Sequence, residues 1–307
     1  YNFLKVTRKI GLKKYKNLQI YLIVLPILIS FLYLATPTFF KYEKLKIEQE
    51  ICKNKNITCF IKGDINYSFY PTPRIKIKDL TIYNSSKKKN IFIKVGDVSI
   101  KLSVKNLVIK KKQEFKKIIF NNFKINIDLK NLKKYKNIFK EKNNFIPLKF
   151  SKGEILLLDK DNYVATIHEA KLNFILDQDS KNIKIKGKLF DDDLYINLKN
   201  MIIDDKMSTR IILKMSDLNL LTKVKLFNFD KEEDKIQGDI FIKKDKNKFT
   251  GIFNYQNGEI KISKSNLRNI FLDGKLNGTI KLLPFFDINL DLNLNSVNFP
   301  KLYSYFL

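Results

Sequence analysis

Few side chains in this sequence have the types and spacing to do chemistry. They are Cys52 and Cys59 with six residues between them, one His168 beside Glu169, the acidic groups Asp191-Asp192-Asp193 and Glu232-Glu233-Asp234, and the series Asp287-x-Asn289-x-Asp291. The cysteine spacing fits no zinc or redox motif, and the histidine is remote from it. In an oxidising compartment the pair could close a local disulfide. The alternative is two separate buried thiols, and spacing alone does not decide, because a disulfide needs its own geometry. His168 and Glu169 are strand neighbours that should point to opposite faces, and no nucleophile motif accompanies them, so a structural histidine is expected. The acidic groups fall in expected turns, where solvated charge is ordinary. Asp287-x-Asn289-x-Asp291 opens like a calcium loop, but Leu292 replaces the Gly at its sixth place and Asn298 the Glu at its twelfth. Gly274 and Gly278, in GKLNG, form neither a phosphate loop nor a dinucleotide fingerprint. The sequons at Asn56, Asn66 and Asn277 read as chance in an Asn-rich chain. No metal, cofactor or enzymatic activity is expected. A periplasmic hydrolase would need paired catalytic residues that the sequence does not offer.

The elements that position these residues begin with a segment that has no charge at all. Leu18 to Phe40 reads LQIYLIVLPILISFLYLATPTFF, about the length that crosses a bilayer core. Pro26 is tolerable in such a span, and Tyr21 and Tyr33 suit its interfaces. A cleaved signal peptide has a shorter apolar core and a small-residue cleavage site, so an uncleaved anchor is the preferred reading. The flank before it carries Lys5, Arg8, Lys9, Lys13, Lys14 and Lys16 without an acid, whereas the flank after it mixes Lys41, Lys44 and Lys46 with Glu43, Glu48 and Glu50. Positive-inside then puts residues 1–17 in the cytoplasm as a basic tail, 18–40 in the inner membrane, and the bulk of a single-pass protein in a Gram-negative periplasm. Residues 41–58 read as a juxtamembrane helix and linker. The start at Tyr1 and the stop of Lys301 to Leu307 inside an apolar pattern suggest a piece of a longer chain.

The net charge of +28 invites a nucleic-acid partner, since basic surfaces release counterions from phosphate backbones. Only four of the 59 basic residues are arginine, the side chain whose fork reads bases and phosphates bidentately. The lysines instead alternate with apolar residues, as in Ile75-Lys76-Ile77-Lys78 and Ile183-Lys184-Ile185-Lys186, which makes a solvated face and not a patch. Nucleic acid is therefore not expected.

From Cys59 onward the apolar period is two. Ile75 and Ile77 are followed by Leu80 and Ile82; Ile91, Ile93 and Val95 by Val98, Ile100, Leu102 and Val104. Phe123 to Leu129, Ile183 to Leu189 and Ile288 to Leu294 repeat the pattern. Turn residues separate the runs, and helices are expected only at Leu132 to Lys142 and near Leu218 to Lys223. The expected fold is mainly β: one long antiparallel sheet over residues 59–307 with one apolar face. Such a face must be covered by a second sheet, closed into a barrel, or left as a groove that something apolar fills. The expected groove residues are Ile75, Ile77, Ile93, Val95, Ile100, Leu102, Ile125 and Ile127. The rival reading makes them the core of a closed sandwich, and bulges can reverse the phase within a run.

The stretch IKGDINYSFYPTPRIKIKDLTIYN is the most distinctive, because Pro71 and Pro73 cannot donate to a ladder and so fix a turn at which Tyr67, Phe69 and Tyr70 would pack. It resembles the start of the AsmA family: a membrane helix, a Gly, an aromatic-Pro turn, and a strand ending in an Asn-containing turn. The matching residues are Gly63, Phe69, Tyr70, Pro71, Pro73, Ile75, Ile77, Leu80, Ile82 and Asn84, and similarity continues through Val98 to Leu102, Ile118 to Leu129 and LDGKLNGTIKLLPFFDINLDLNL. The resemblance implies an inner-membrane anchor and an elongated, curved periplasmic sheet. Its concave apolar face would bind or conduct phospholipids in outer-membrane biogenesis, with head groups at a lysine rim. The alternative is a non-enzymatic scaffold that assists outer-membrane protein assembly through its sheet edges. Whether the apolar face stays open discriminates the two.

Overall fold

Strands with apolar residues at every second position can bury them together only if neighbours keep register and turn the same face the same way. The computed structural model, which describes residues 21–52, 57–84, 91–129, 146–159, 162–176, 181–203, 206–227, 236–256, 258–281 and 285–306, does this in one sheet of sixteen strands. These are β1 (Thr58–Ile61), β2 (Ile65–Ser68), β3 (Arg74–Tyr83), β4 (Ile91–Leu102), β5 (Phe115–Asp128), β6 (Leu148–Asp159), β7 (Asn162–Leu176) and β8 (Lys181–Leu189). They continue as β9 (Asp192–Ile203), β10 (Lys206–Met215), β11 (Leu220–Leu226), β12 (Ile236–Lys244), β13 (Asn247–Gln256), β14 (Glu259–Arg268), β15 (Leu272–Lys281) and β16 (Asp287–Val297). Spatial order follows chain order, with β1 and β2 both along the outer side of β3, and the sheet curls without closing. Among the described residues it is accompanied by α1 (Tyr21–Phe39), long and apolar enough to cross a membrane, α2 (Lys44–Ile51) and α3 (Phe299–Phe306), besides a short 3-10 turn at Lys110–Lys112.

Two expectations are corrected. The sheet is mixed, not purely antiparallel, because β5 and β6 run parallel, with Phe120 opposite Phe150 and Ile125 opposite Ile155. Parallel neighbours need the chain to return to its starting end, and the connection after Asp128 does this; the helix expected at Leu132 to Lys142 lies outside the described residues. No helix forms near Leu218 to Lys223. Residues 216–219 are a turn, and Leu220 already pairs with Met215 in β11.

A file of kinks crosses the first strands at one level. Gly63 breaks the chain between β1 and β2 beside Lys78 and Asp79, Asp79 has φ 52°, Gly96 faces it in β4, and Asn122 in β5 has φ 55°. Lys152 in β6 and Glu169 in β7 continue it with φ 59° and 50°, and Gly187 ends it in β8. Left-handed residues of this kind bend and twist a strand and reverse which side chains face inward. That reversal is why Ile75 and Ile77 give way to Leu80 and Ile82, and Phe120 to Phe123, while all of these stay buried. The strands approach closely here: a Cβ on Gly63 would sit 2.6 Å from Lys78 Cβ, one on Gly187 2.7 Å from the His168 carbonyl, and one on Gly153 would collide with the ring and carbonyl of Phe123.

Burial is graded along the sheet. Over β3 to β7 the inner face is a sealed core, with Phe150 at its centre, stacked on Phe120 at 4.5 Å and edge-on to Phe123 and Phe174. From β8 onward most inner apolar residues are half-buried, and on β16 Ile288 and Leu294 are about half exposed, at 51% and 48%. If the kink file sets the packing, Gly153→Ala should lower unfolding free energy by about 1–3 kcal/mol. Gly96→Ala, whose Cβ would meet Asn122 at an ordinary 3.4 Å, should change it by under about 0.5 kcal/mol. Urea denaturation of the two variants checks both.

Candidate functional site

The chemically suggestive side chains take structural posts. Cys52 and Cys59 form a disulfide (S–S 2.03 Å, Cα–Cα 5.8 Å) that ties the end of α2 to β1. His168 and Glu169 do not oppose each other across the sheet; the kink at Glu169 leaves both exposed, with His168 Nδ1 3.5 Å from Glu154 and Glu169 3.5 Å from Lys188. They belong to a polar row along the outer side of the kink file. Lys78 bonds Asp97 in the same row, Asn122 donates to Asp97 at 3.0 Å, and Ser151 donates to Asn121 at 2.7 Å. The Lys78 ammonium holds the Asp97 carboxyl below the usual carboxylate range. Of the acidic groups, Asp192 is buried and not a solvated turn residue: it accepts from the backbone N–H of Asp217 and Leu218 at 2.9 and 3.1 Å, closing the turn before β11. Glu232 to Asp234 lie outside the described residues, and Asp287 sits on exposed β16, 3.8 Å from Lys281.

What the fold builds instead is an apolar stripe. Ladder partners carry it inward-facing across the sheet: Ile75, Ile100, Ile118, Leu148, Phe174, Ile183, Leu198, Ile211, Val224 and Ile240. Of the expected groove residues, Ile75, Ile77, Ile93, Val95, Ile100, Leu102 and Ile125 are on this inner face but between 0% and 6% exposed, and Ile127 is half-buried. They form part of the buried core. The accessible part of the face is carried by Ile185, Ile196, Leu213, Val224 and Ile240 on β8 to β12, all half-buried. Only Ile185 stood out in the sequence. The signal at the others was blurred because β10 and β12 are apolar on both faces, as in Ile211-Ile212-Leu213 and Ile240-Phe241-Ile242. On the opposite face, Ile212, Phe241 and Ile252 floor a cleft of about 580 Å³ rimmed by Arg210, Lys223, Lys225 and Lys264, with Asp239 as its acid. Lys223 Nζ lies 5.6 Å over the Phe241 ring there.

The other built feature is the seat of α1 on the first corner of the sheet. Tyr33 donates its hydroxyl to the Val104 carbonyl (2.8 Å) and accepts from the Leu107 N–H (3.3 Å), both in the loop between β4 and β5. Tyr67 donates to the Leu34 carbonyl at 2.7 Å, and Phe31 meets Phe69 edge-on at 5.3 Å. Burial, with Tyr42 adding to it, pushes the Tyr67 phenol up to about 12. Past the helix end, Tyr42 donates to Gln113 (3.2 Å), Gln113 donates to the Leu107 carbonyl (3.0 Å), and Glu48 accepts from the Ile61 N–H at 2.6 Å. The aromatic-proline turn is only partly packed: Pro73 is buried and Phe69 half-buried, but Tyr70, expected at the corner, is 79% exposed.

The sequence model of the AsmA family matches residues 12–301. No curated protein and no solved structure matches.

The contrast between sealed and accessible inner residues has a direct check. A carboxylate at a fully buried site has neither water nor a partner, whereas a half-buried one keeps part of its hydration. Ile100→Asp should abolish the cooperative unfolding transition, and Val224→Asp should leave the β-type circular dichroism spectrum intact and cost on the order of 1 kcal/mol.

Proposed function

The chain belongs to the AsmA family, and from that membership we propose that it is a membrane-anchored protein of cell-envelope biogenesis that binds phospholipid acyl chains along the inner face of its open sheet. In this reading α1 is the single inner-membrane span, the basic residues before it stay in the cytoplasm, and the sheet stands in the periplasm of a Gram-negative cell. The mixed charge after the span and the Cys52–Cys59 disulfide, a bond of oxidising compartments, support that orientation. The observation that carries the proposal is the half-covered apolar stripe over β8 to β12, continuous in ladder register with the sealed core beside the anchor. Each acyl methylene taken from water onto such a face gains about 0.8 kcal/mol. The protein would act without chemistry, so no catalytic residues are assigned.

A specific observation favours a second reading, the scaffold that assists outer-membrane protein assembly. β16 is an eleven-residue strand whose outer edge has no partner among the described residues, with Ile288, Leu292 and Leu294 exposed. A long edge of this kind is a template for an added strand.

The experiment that separates the two places a photo-crosslinker at Leu213, inward on β10, and at its outward neighbour Lys214, in the full chain in cells labelled with radioactive phosphate. β10 is seven ladder steps from β3, roughly 33 Å along the curled sheet, and the outward Lys214 controls for lipid that reaches either face. Labelled phospholipid should attach at Leu213 and not at Lys214, and Val224→Asp should remove it. Equal labelling of the two positions, or none at either, overturns the groove; a protein adduct at Asn293 on β16 in that case points to the scaffold.

A further inference from the structure

On the reading that α1 spans the membrane, we propose that the first corner of the sheet is seated in the same leaflet. The aromatic-proline turn Phe69 to Pro73 lies among acyl chains beside the helix, and Lys105, Lys110, Lys111 and Lys112 take anionic phospholipid headgroups. Height along the helix carries the argument first. The corner meets α1 at Phe31, Tyr33 and Leu34, not beyond its end. Phe31 lies about 12 Å back from Phe39 along the axis, well inside the length that must occupy the apolar layer. Side chains in contact at that level therefore share the depth of the span.

The chemistry of the corner fits that depth. Its exposed surface has a large apolar share: Tyr70 is 79% exposed, and Val104, Val108 and Ile109 are close to half exposed, beside exposed Thr72, Lys105 and Asn106. Several backbone groups at the corner are paired internally, which lowers the cost of entering a layer without water. Leu102 N–H donates to the Pro73 carbonyl, Ser103 N–H to Glu114, Ile109 N–H to Asn106 and Lys112 N–H to Ile109, while Pro71 and Pro73 have no N–H to satisfy. The charge lies at the right height too. Lys110 bonds the Lys41 carbonyl just past the helix end, which sets the lysine run at the level of headgroups. Glu43 and Glu114 are the acids of this neighbourhood, fewer than the lysines beside them.

The chain contains no tryptophan, so one introduced indole is a clean depth probe. The full chain would be reconstituted as Tyr70→Trp, as Leu28→Trp in the middle of α1, and as Phe190→Trp in the exposed turn between β8 and β9, in bilayers with brominated acyl chains. Strong quenching of Leu28→Trp and Tyr70→Trp with little of Phe190→Trp is the expected result. Quenching of Leu28→Trp with Tyr70→Trp as unquenched as Phe190→Trp overturns the seating and leaves the span intact; an unquenched Leu28→Trp overturns the span on which the proposed function also rests. Headgroup selection is read by comparing brominated phosphatidylglycerol with brominated phosphatidylcholine at equal fraction. The former should quench Tyr70→Trp at least about twofold more, falling to parity when the four lysines are replaced by Gln. Equal quenching by both lipids in the unaltered loop overturns the anionic site.

Discussion

The structure depends on keeping one face of a very long sheet turned inward while the strands bend. A strand of ten to fifteen residues with strict alternation would twist its inner face away from its neighbours' before its end, because twist accumulates along it. The file from Gly63 through Asp79, Gly96, Asn122, Lys152 and Glu169 to Gly187 resolves this by inserting a phase reversal at the same level in successive strands. Each left-handed residue costs something, about 1–2 kcal/mol where it is not glycine. Buried rows on both sides of the file, Ile77, Val98 and Phe120 on one and Leu80, Val95 and Phe123 on the other, offset that cost. The outward partners of the same file form the polar row from Lys78 to Lys188, so one irregularity organises both faces.

Burial of the inner face is deepest where the kinks align and shallower where they do not. Over β3 to β7 the inner face closes on itself around Phe150 and leaves no room for a guest. The later strands have scattered irregularities only, such as Lys264 with φ 46° in β14, where buried Ser265 bridges to Leu276 across the gap. Their apolar side chains are left half-covered. A half-covered apolar face of this length is unfavourable in water unless something lies on it, and the proposed acyl chains answer that without requiring any reactive group.

Much of this was legible in the residues. The long apolar helix, the β class and the phase reversals at 77–80 and 95–98 are visible as spacing. Their alignment is not, since one sequence does not give the register between strands. The parallel pair escaped for a similar reason: it depends on where the chain after Asp128 re-enters, not on the pattern within β5 or β6. Leu218 to Lys223 looked helical because a short leucine-rich run has no decisive period. The groove was sought among the cleanest alternating strands, yet clean alternation marks the deepest burial. Val224 and Ile240 escaped notice because β10 and β12 have apolar residues on both faces, which obscured the pattern.

The apolar helix α1 completes the logic. A helix joined to a sheet by a free linker would leave the start of the inner face at no fixed angle to that helix. Here Tyr33, Tyr67 and Phe31 hold the span against the first corner, Ile47 of α2 is buried in the core, and the disulfide closes the segment between α2 and β1. Closing so short a loop restricts the unfolded chain enough to stabilise the folded one by about 2–3 kcal/mol in the chain-entropy account. On the proposed reading, rigidity at this joint presents the sheet to the membrane in one orientation. A binding surface that merely floated near the bilayer would need none of it, whereas an apolar path that begins at the bilayer needs its first strands fixed there.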